Sequence, residues 1–227
     1  MPTDQMTTSS LTTGLNYSPD SYSRKEPLQK PEPGFINFTL ASQTVFRLAL
    51  AALSRPTKVF EADFEGFFKG KPPLPYTAAA LALTLLDHQT AVWLSPSFRE
   101  SQDYLTFHTS APMAGSPEKG SFLLVASPKE LPPLDTLNQG DPRYPDRSAT
   151  VILAGVLEKT IMEIPLIAKG PGIKDEALFE NHGLDRNFVN SWSLNRESYP
   201  LGLDIILAGN NKLVGLPRSL RLIPKPS

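Results

Sequence analysis

Residues 199–218 read Y-P-L-G-L-D-I-I-L-A-G-N-N-K-L-V-G-L-P-R. Two apolar runs, Leu201 to Ala208 and Leu213 to Leu216, flank Gly209-Asn210-Asn211. Glycine and asparagine tolerate positive φ, so the stretch predicts a β-hairpin. The first run is apolar on both faces apart from Asp204, as suits a strand covered on both sides. Pro200 and Pro217 bracket the pair, where a missing N–H costs the ladder least. The rest of the chain must then supply layers to cover such a sheet.

Immediately upstream, Leu184 to Leu194 predicts a helix with Leu184, Phe188, Val189 and Trp192 on one face. Before it, Lys169-Gly170-Pro171-Gly172-Ile173-Lys174 reads as a tight turn; its backbone N–H groups could face an anion. Thr150 to Val156 and Ile161 to Ile167 are β-rich and close together, and predict adjacent paired strands. Pro128 to Gly140 places Leu131, Leu134 and Leu137 at helical spacing. Ser121 to Ala126 and Ala91 to Ser95 are short strands. Leu105 to Pro112 reads as an alternating strand, and Pro96 to Asp103 as a polar helical turn. Tyr76 to His88 is apolar nearly all round, hence a buried helix. Thr39 to Ser54 is amphipathic with a wide apolar face: Phe46, Leu50 and Leu53 fall at i, i+4 and i+7 with Val45, Ala49 and Ala52 beside them, and Arg55-Pro56 stops it. Lys58 to Glu61 is a short strand. This order argues one α/β domain, residues 35–227: three layers, α/β/α, around a mixed sheet.

Composition narrows the function. Net charge is −1, which leaves no electrostatic footprint for nucleic acid or an anionic membrane. Zero cysteines exclude thiol nucleophiles, iron–sulfur clusters and thiolate zinc sites. No stretch approaches the ~20 apolar residues of a membrane span, and the start lacks a basic-then-apolar signal pattern, so a cytoplasmic location is expected. Prolines number 23, and ten of the first 24 residues are Ser or Thr. Residues 1–34 are therefore expected to be a disordered or surface-draped extension.

Catalytic motifs are absent. Gly66 to Lys71, G-F-F-K-G-K, is one residue short of a phosphate loop and is followed by Pro72, so a surface loop is expected. There is no G-x-S-x-G and no G-x-G-x-x-G, and no lysine stands in an apolar context suited to a Schiff base. His88, His108 and His182 lack metal-ligand spacing, so no metal site is expected. Asp204, a carboxylate within an apolar run, is expected to pair with Arg218 or Arg221, or to face solvent.

Five segments together resemble the PhnH family, a subunit of the bacterial carbon–phosphorus lyase system. They are A-S-Q-T-V-F-R (Ala41 to Arg47), L-A-L-T-L-L-D-H-Q-T-A-V-W-L-S (Leu81 to Ser95), F-H-T-S-A-P (Phe107 to Pro112), Gly170-Pro171-Gly172-Ile173, and Tyr199 to Ser219. Thr106 stands where some relatives carry arginine, and Ser219-Leu220 replaces a common Thr-Thr. The resemblance implies a fold like the large domain of pyridoxal-phosphate-dependent transferases, without the cofactor. It implies membership of a core with PhnG, PhnI and PhnJ, homodimerisation when isolated, and support for forming ribose 1-alkylphosphonate 5-triphosphate. It implies no catalytic residue. An assembly subunit is one reading; the other is a phosphonate- or nucleotide-binding component using Arg47, His108, Asp204 or Arg218 in one pocket.

Overall fold

A computed structural model describes residues 31–158, 165–180 and 183–225, all within the unit Pro31–Ser227. The expected N-terminal extension lies almost wholly outside the described residues, as do His182 and the first half of the strand expected at Ile161 to Ile167.

The elements run α1 (Phe38–Ser54), β1 (Phe60–Glu61), α2 (Tyr76–Leu85), β2 (Val92–Leu94), α3 (Gln102–Thr109), β3 (Phe122–Val125), β4 (Thr150–Leu153), β5 (Leu166–Lys169), β6 (Ala177–Phe179), α4 (Arg186–Glu197), β7 (Asp204–Ala208), β8 (Lys212–Leu216) and β9 (Arg221–Pro224). Six strands form a mixed sheet in the order β1-β8-β7-β4-β3-β2. Strands β2, β3, β4 and β7 are parallel, and β7–β8 is the expected antiparallel hairpin, with Ile206 opposite Gly215. A second sheet, β6-β5-β9, is antiparallel.

The pleat sends alternate residues of the central strands to opposite faces. Leu124, Ile152 and Ile206 pack with α1, α2 and α3. Leu123, Val125, Val151, Leu153, Ile205 and Leu207 pack with α4 and the small sheet. The mixed sheet and the two-sided burial of β7 are as the hairpin implies. The second covering layer differs from the expected one: a single helix lies there beside a three-stranded sheet, in place of helices alone.

Other departures have local causes. Residues 105–109 are helical, not extended: Tyr104 and Leu105 are buried while Phe107, which alternation would bury, is exposed. The helix expected over 128–140 is reduced to 3-10 turns at Pro128–Glu130 and Leu134–Thr136. Pro132 and Pro133 remove two N–H donors in its middle. Strand β5 pairs with β6 and β9, and β4 pairs instead with β3 and β7. Gly66 to Lys71 begins in a 3-10 turn and buries Phe68. The Gly-Pro-Gly turn packs on the end of α1, where a Cβ on Gly172 would overlap the Ser54 carbonyl oxygen.

Candidate functional site

Asp204 opens β7 and Arg218 lies just beyond β8. The Arg218 backbone N–H donates to Asp204 Oδ1 at 2.8 Å, and its Nη2 donates to Oδ2 at 2.5 Å. Nη1 donates to the Pro145 carbonyl. Arg218, not Arg221, is thus the partner, and the pair clamps the hairpin to the turn at 145–147. His108 lies on α3 with Nε2 2.9 Å from the Glu32 carbonyl oxygen. A carbonyl only accepts, so Nε2 carries the proton. The ring thereby holds residues 32–34 on α3. Arg47 is exposed on α1, without a hydrogen bond or ion pair among the described residues. Asp204 and Arg218 meet; Arg47 and His108 join neither. None of the four lines the cavities described below.

Ligands of open α/β sheets bind beyond the carboxyl ends of the parallel strands. Here hydrogen bonds tie together the loops that follow these strands. After β2, Ser95 Oγ accepts the Ala126 N–H at 3.0 Å. Glu130 accepts the Ser97 N–H at 3.0 Å and its hydroxyl at 2.5 Å, and these bonds hold its carboxyl below the usual carboxylate value. After β7, Glu158 accepts the Asn210 N–H at 2.6 Å. Asn211, at positive φ, accepts the Phe64 N–H at 3.0 Å. Tyr104 has no hydrogen-bond partner for its buried hydroxyl among the described residues, and burial, then the Glu32 charge, pushes its pKa up to about 12. It stays a neutral phenol near neutral pH. No group of three His, Cys, Asp or Glu side chains suited to a metal occurs among the described residues.

The surface of α1 is different. Asn37 caps the helix by accepting the Leu40 N–H at 3.0 Å. The buried face carries Ala41, Val45, Ala49 and Ala52. Gly215 of β8 lets the helix backbone approach: a Cβ there would lie 2.6 Å from Leu53 N and would overlap the Ala52 carbonyl. Of the larger side chains, Leu48 and Leu53 pack against the core while three others point outward. Leu40, Phe46 and Leu50 are 61%, 48% and 53% exposed. Of the wide apolar face expected from sequence, Val45, Ala49 and Ala52 are buried and Leu53 packs against the core, while Phe46 and Leu50 are exposed. Leu40, Gln43, Arg47 and Leu50 follow at i, i+3, i+7 and i+10, a stripe about 15 Å long. Its one charge is Arg47. With Phe46 beside it, three large apolar side chains are exposed on this side of the helix, which makes it a candidate interaction surface.

Three cavities run along α4; one, of about 340 Å³, lies at its start beside residues 128–134, and two lie along its second half. One of about 240 Å³ lies against Asp135 and Gln139. The other, of about 440 Å³, is lined by Ser193, Arg196, Glu197, Arg221, Leu222 and Ile223. The sequence names Arg221 only as a possible partner of Asp204 and leaves Arg196 unmarked, because the two sit on separate elements with no shared motif. Asn195, equally unmarked in the sequence, is buried and bonds both backbone groups of Leu203, at 2.8 and 3.1 Å.

A family model described as bacterial phosphonate metabolism protein (PhnH) matches residues 33–223. The chain is also 32% identical over 192 residues to the alpha-D-ribose 1-methylphosphonate 5-triphosphate synthase subunit PhnH of Rhizobium meliloti (strain 1021). That alignment covers 83% of this chain and 93% of the relative. No described helix is long and apolar enough to cross a membrane.

Proposed function

The chain belongs to the PhnH family of bacterial phosphonate metabolism proteins, and on that premise we propose that it is a non-catalytic assembly subunit of a carbon–phosphorus lyase core. Its partners are PhnG, PhnI and PhnJ, and its role is to support formation of ribose 1-alkylphosphonate 5-triphosphate in the cytoplasm. The observation that carries this reading is the exposed apolar cluster of Leu40, Phe46 and Leu50 on α1. The hydrogen-bonded loops at the carboxyl end of the sheet agree with a transferase-like fold that has lost its cofactor, and the N-terminal 34 residues act as an extension of one PhnH-like domain.

When isolated, the chain pairs with a second copy through α1. An antiparallel two-fold pairing brings Leu40 against Leu50 of the other copy and Gln43 against Arg47. The contact is self-complementary, as an isologous dimer requires. Arg47 then belongs to an interface, where arginine is enriched, and not to a pocket. The test is sedimentation equilibrium of the full chain and of Phe46→Asp and Leu50→Asp, followed by co-purification with the other subunits. The expected result is a dimer that both substitutions dissociate, with recovery of the core complex reduced. Unchanged dimers and unchanged recovery would overturn the reading.

A further inference from the structure

The cavity between α4 and β9 gathers positive charge from two elements. Arg196 is held in place: its Nε donates to the Ser219 carbonyl at 3.0 Å, and its guanidinium lies 5.0 Å from the Tyr199 ring centroid. Its two terminal nitrogens stay available. Arg221 projects from β9 and is exposed. Neither arginine forms an ion pair among the described residues. Ser193 stands one helical turn before Arg196 on the same side of α4.

The backbone adds a further donor. Strand β9 is an edge of its sheet. The Lys225 N–H donates to the Pro165 carbonyl at 2.8 Å, so the antiparallel alternation turns the bonding groups of Ile223 and Arg221 toward β5. Leu222 therefore directs its N–H to the free edge, and its buried side chain leaves the main chain to line the cavity. Two guanidinium forks, a hydroxyl and an amide around one concavity match a multiply charged tetrahedral anion.

We propose that this cavity between α4 and β9 binds a phosphorus oxyanion, the phosphonate or phosphate group of a small ligand. Arg196 and Arg221 grip its oxygens, and Glu197 on the rim opposes it and limits affinity. The site is separate from the α1 stripe, so its failure leaves the assembly reading untouched.

Calorimetric titration of the full chain with methylphosphonate, inorganic phosphate, inorganic triphosphate and succinate tests this. Saturable binding of phosphorus oxyanions over succinate is expected. Preference for methylphosphonate would identify a free phosphonate, and preference for triphosphate a polyphosphate tail. Arg221→Gln should weaken binding by roughly tenfold or more, since a charge-assisted pair is lost. Glu197→Gln should tighten it. Both residues are exposed, so the variants should fold, which circular dichroism checks. Absence of binding, equal binding of succinate, or unaltered affinity in Arg221→Gln would overturn the proposal.

Discussion

Helices α1 and α4 cover opposite faces of one sheet with similar apolar spacing, yet they bury opposite kinds of side chain. Helix α4 turns Phe188, Val189 and Trp192 inward. Trp192 is fully buried, lies parallel to Phe188 at 6.1 Å, and donates its indole N–H to the Leu220 carbonyl at 2.9 Å. Helix α1 turns alanines and Val45 inward and leaves Phe46 and Leu50 outside. The difference lies in the partner. The layer beyond α4 offers bulky side-chain packing, whereas β8 presents Gly215, which admits the helix backbone itself. Apolar periodicity thus locates a helix and the middle of its buried face, but not which edge of a wide apolar face stays outside.

Three substitutions break or sharpen that contrast. Trp192→Ala should cost about 3–5 kcal/mol in urea unfolding, by cavity formation and loss of the Leu220 bond. A cost under about 1 kcal/mol would show that α4 is not anchored by bulk. Gly215→Val should cost about 1–3 kcal/mol, because the added carbons meet helix backbone rather than a flexible side chain. Wild-type stability there would mean that α1 does not need the close approach. Phe46→Ser should move the unfolding free energy of the monomer by less than about 0.5 kcal/mol, measured at concentrations below dimer formation. A loss comparable to Trp192→Ala would place Phe46 in the core after all.

Much of the architecture is readable without coordinates. The hairpin, the all-round apolar α2 and the short strands β2 and β3 declare themselves through local pattern and turn chemistry. Pairing does not: β5 and β4 are near in sequence but lie in different sheets. At the level of single sites, the pairing of Asp204 with an arginine is legible, because an isolated carboxylate in an apolar strand needs a partner. Its choice of Arg218 over Arg221 is not, since that depends on where β8 ends and β9 begins. Arg196 and Arg221 are invisible as a pair for the same reason.

Composition, periodicity and motif order by themselves determined the α/β class, the doubly covered hairpin and the resemblance to a family, because these depend on neighbours along the chain. Only the tertiary structure decided which face of α1 is exposed, which strands share a sheet and which arginines share a cavity. Those outcomes depend on how closely backbones approach and on groups distant in sequence, as where Gly215 admits the backbone of α1 at Ala52 and Leu53.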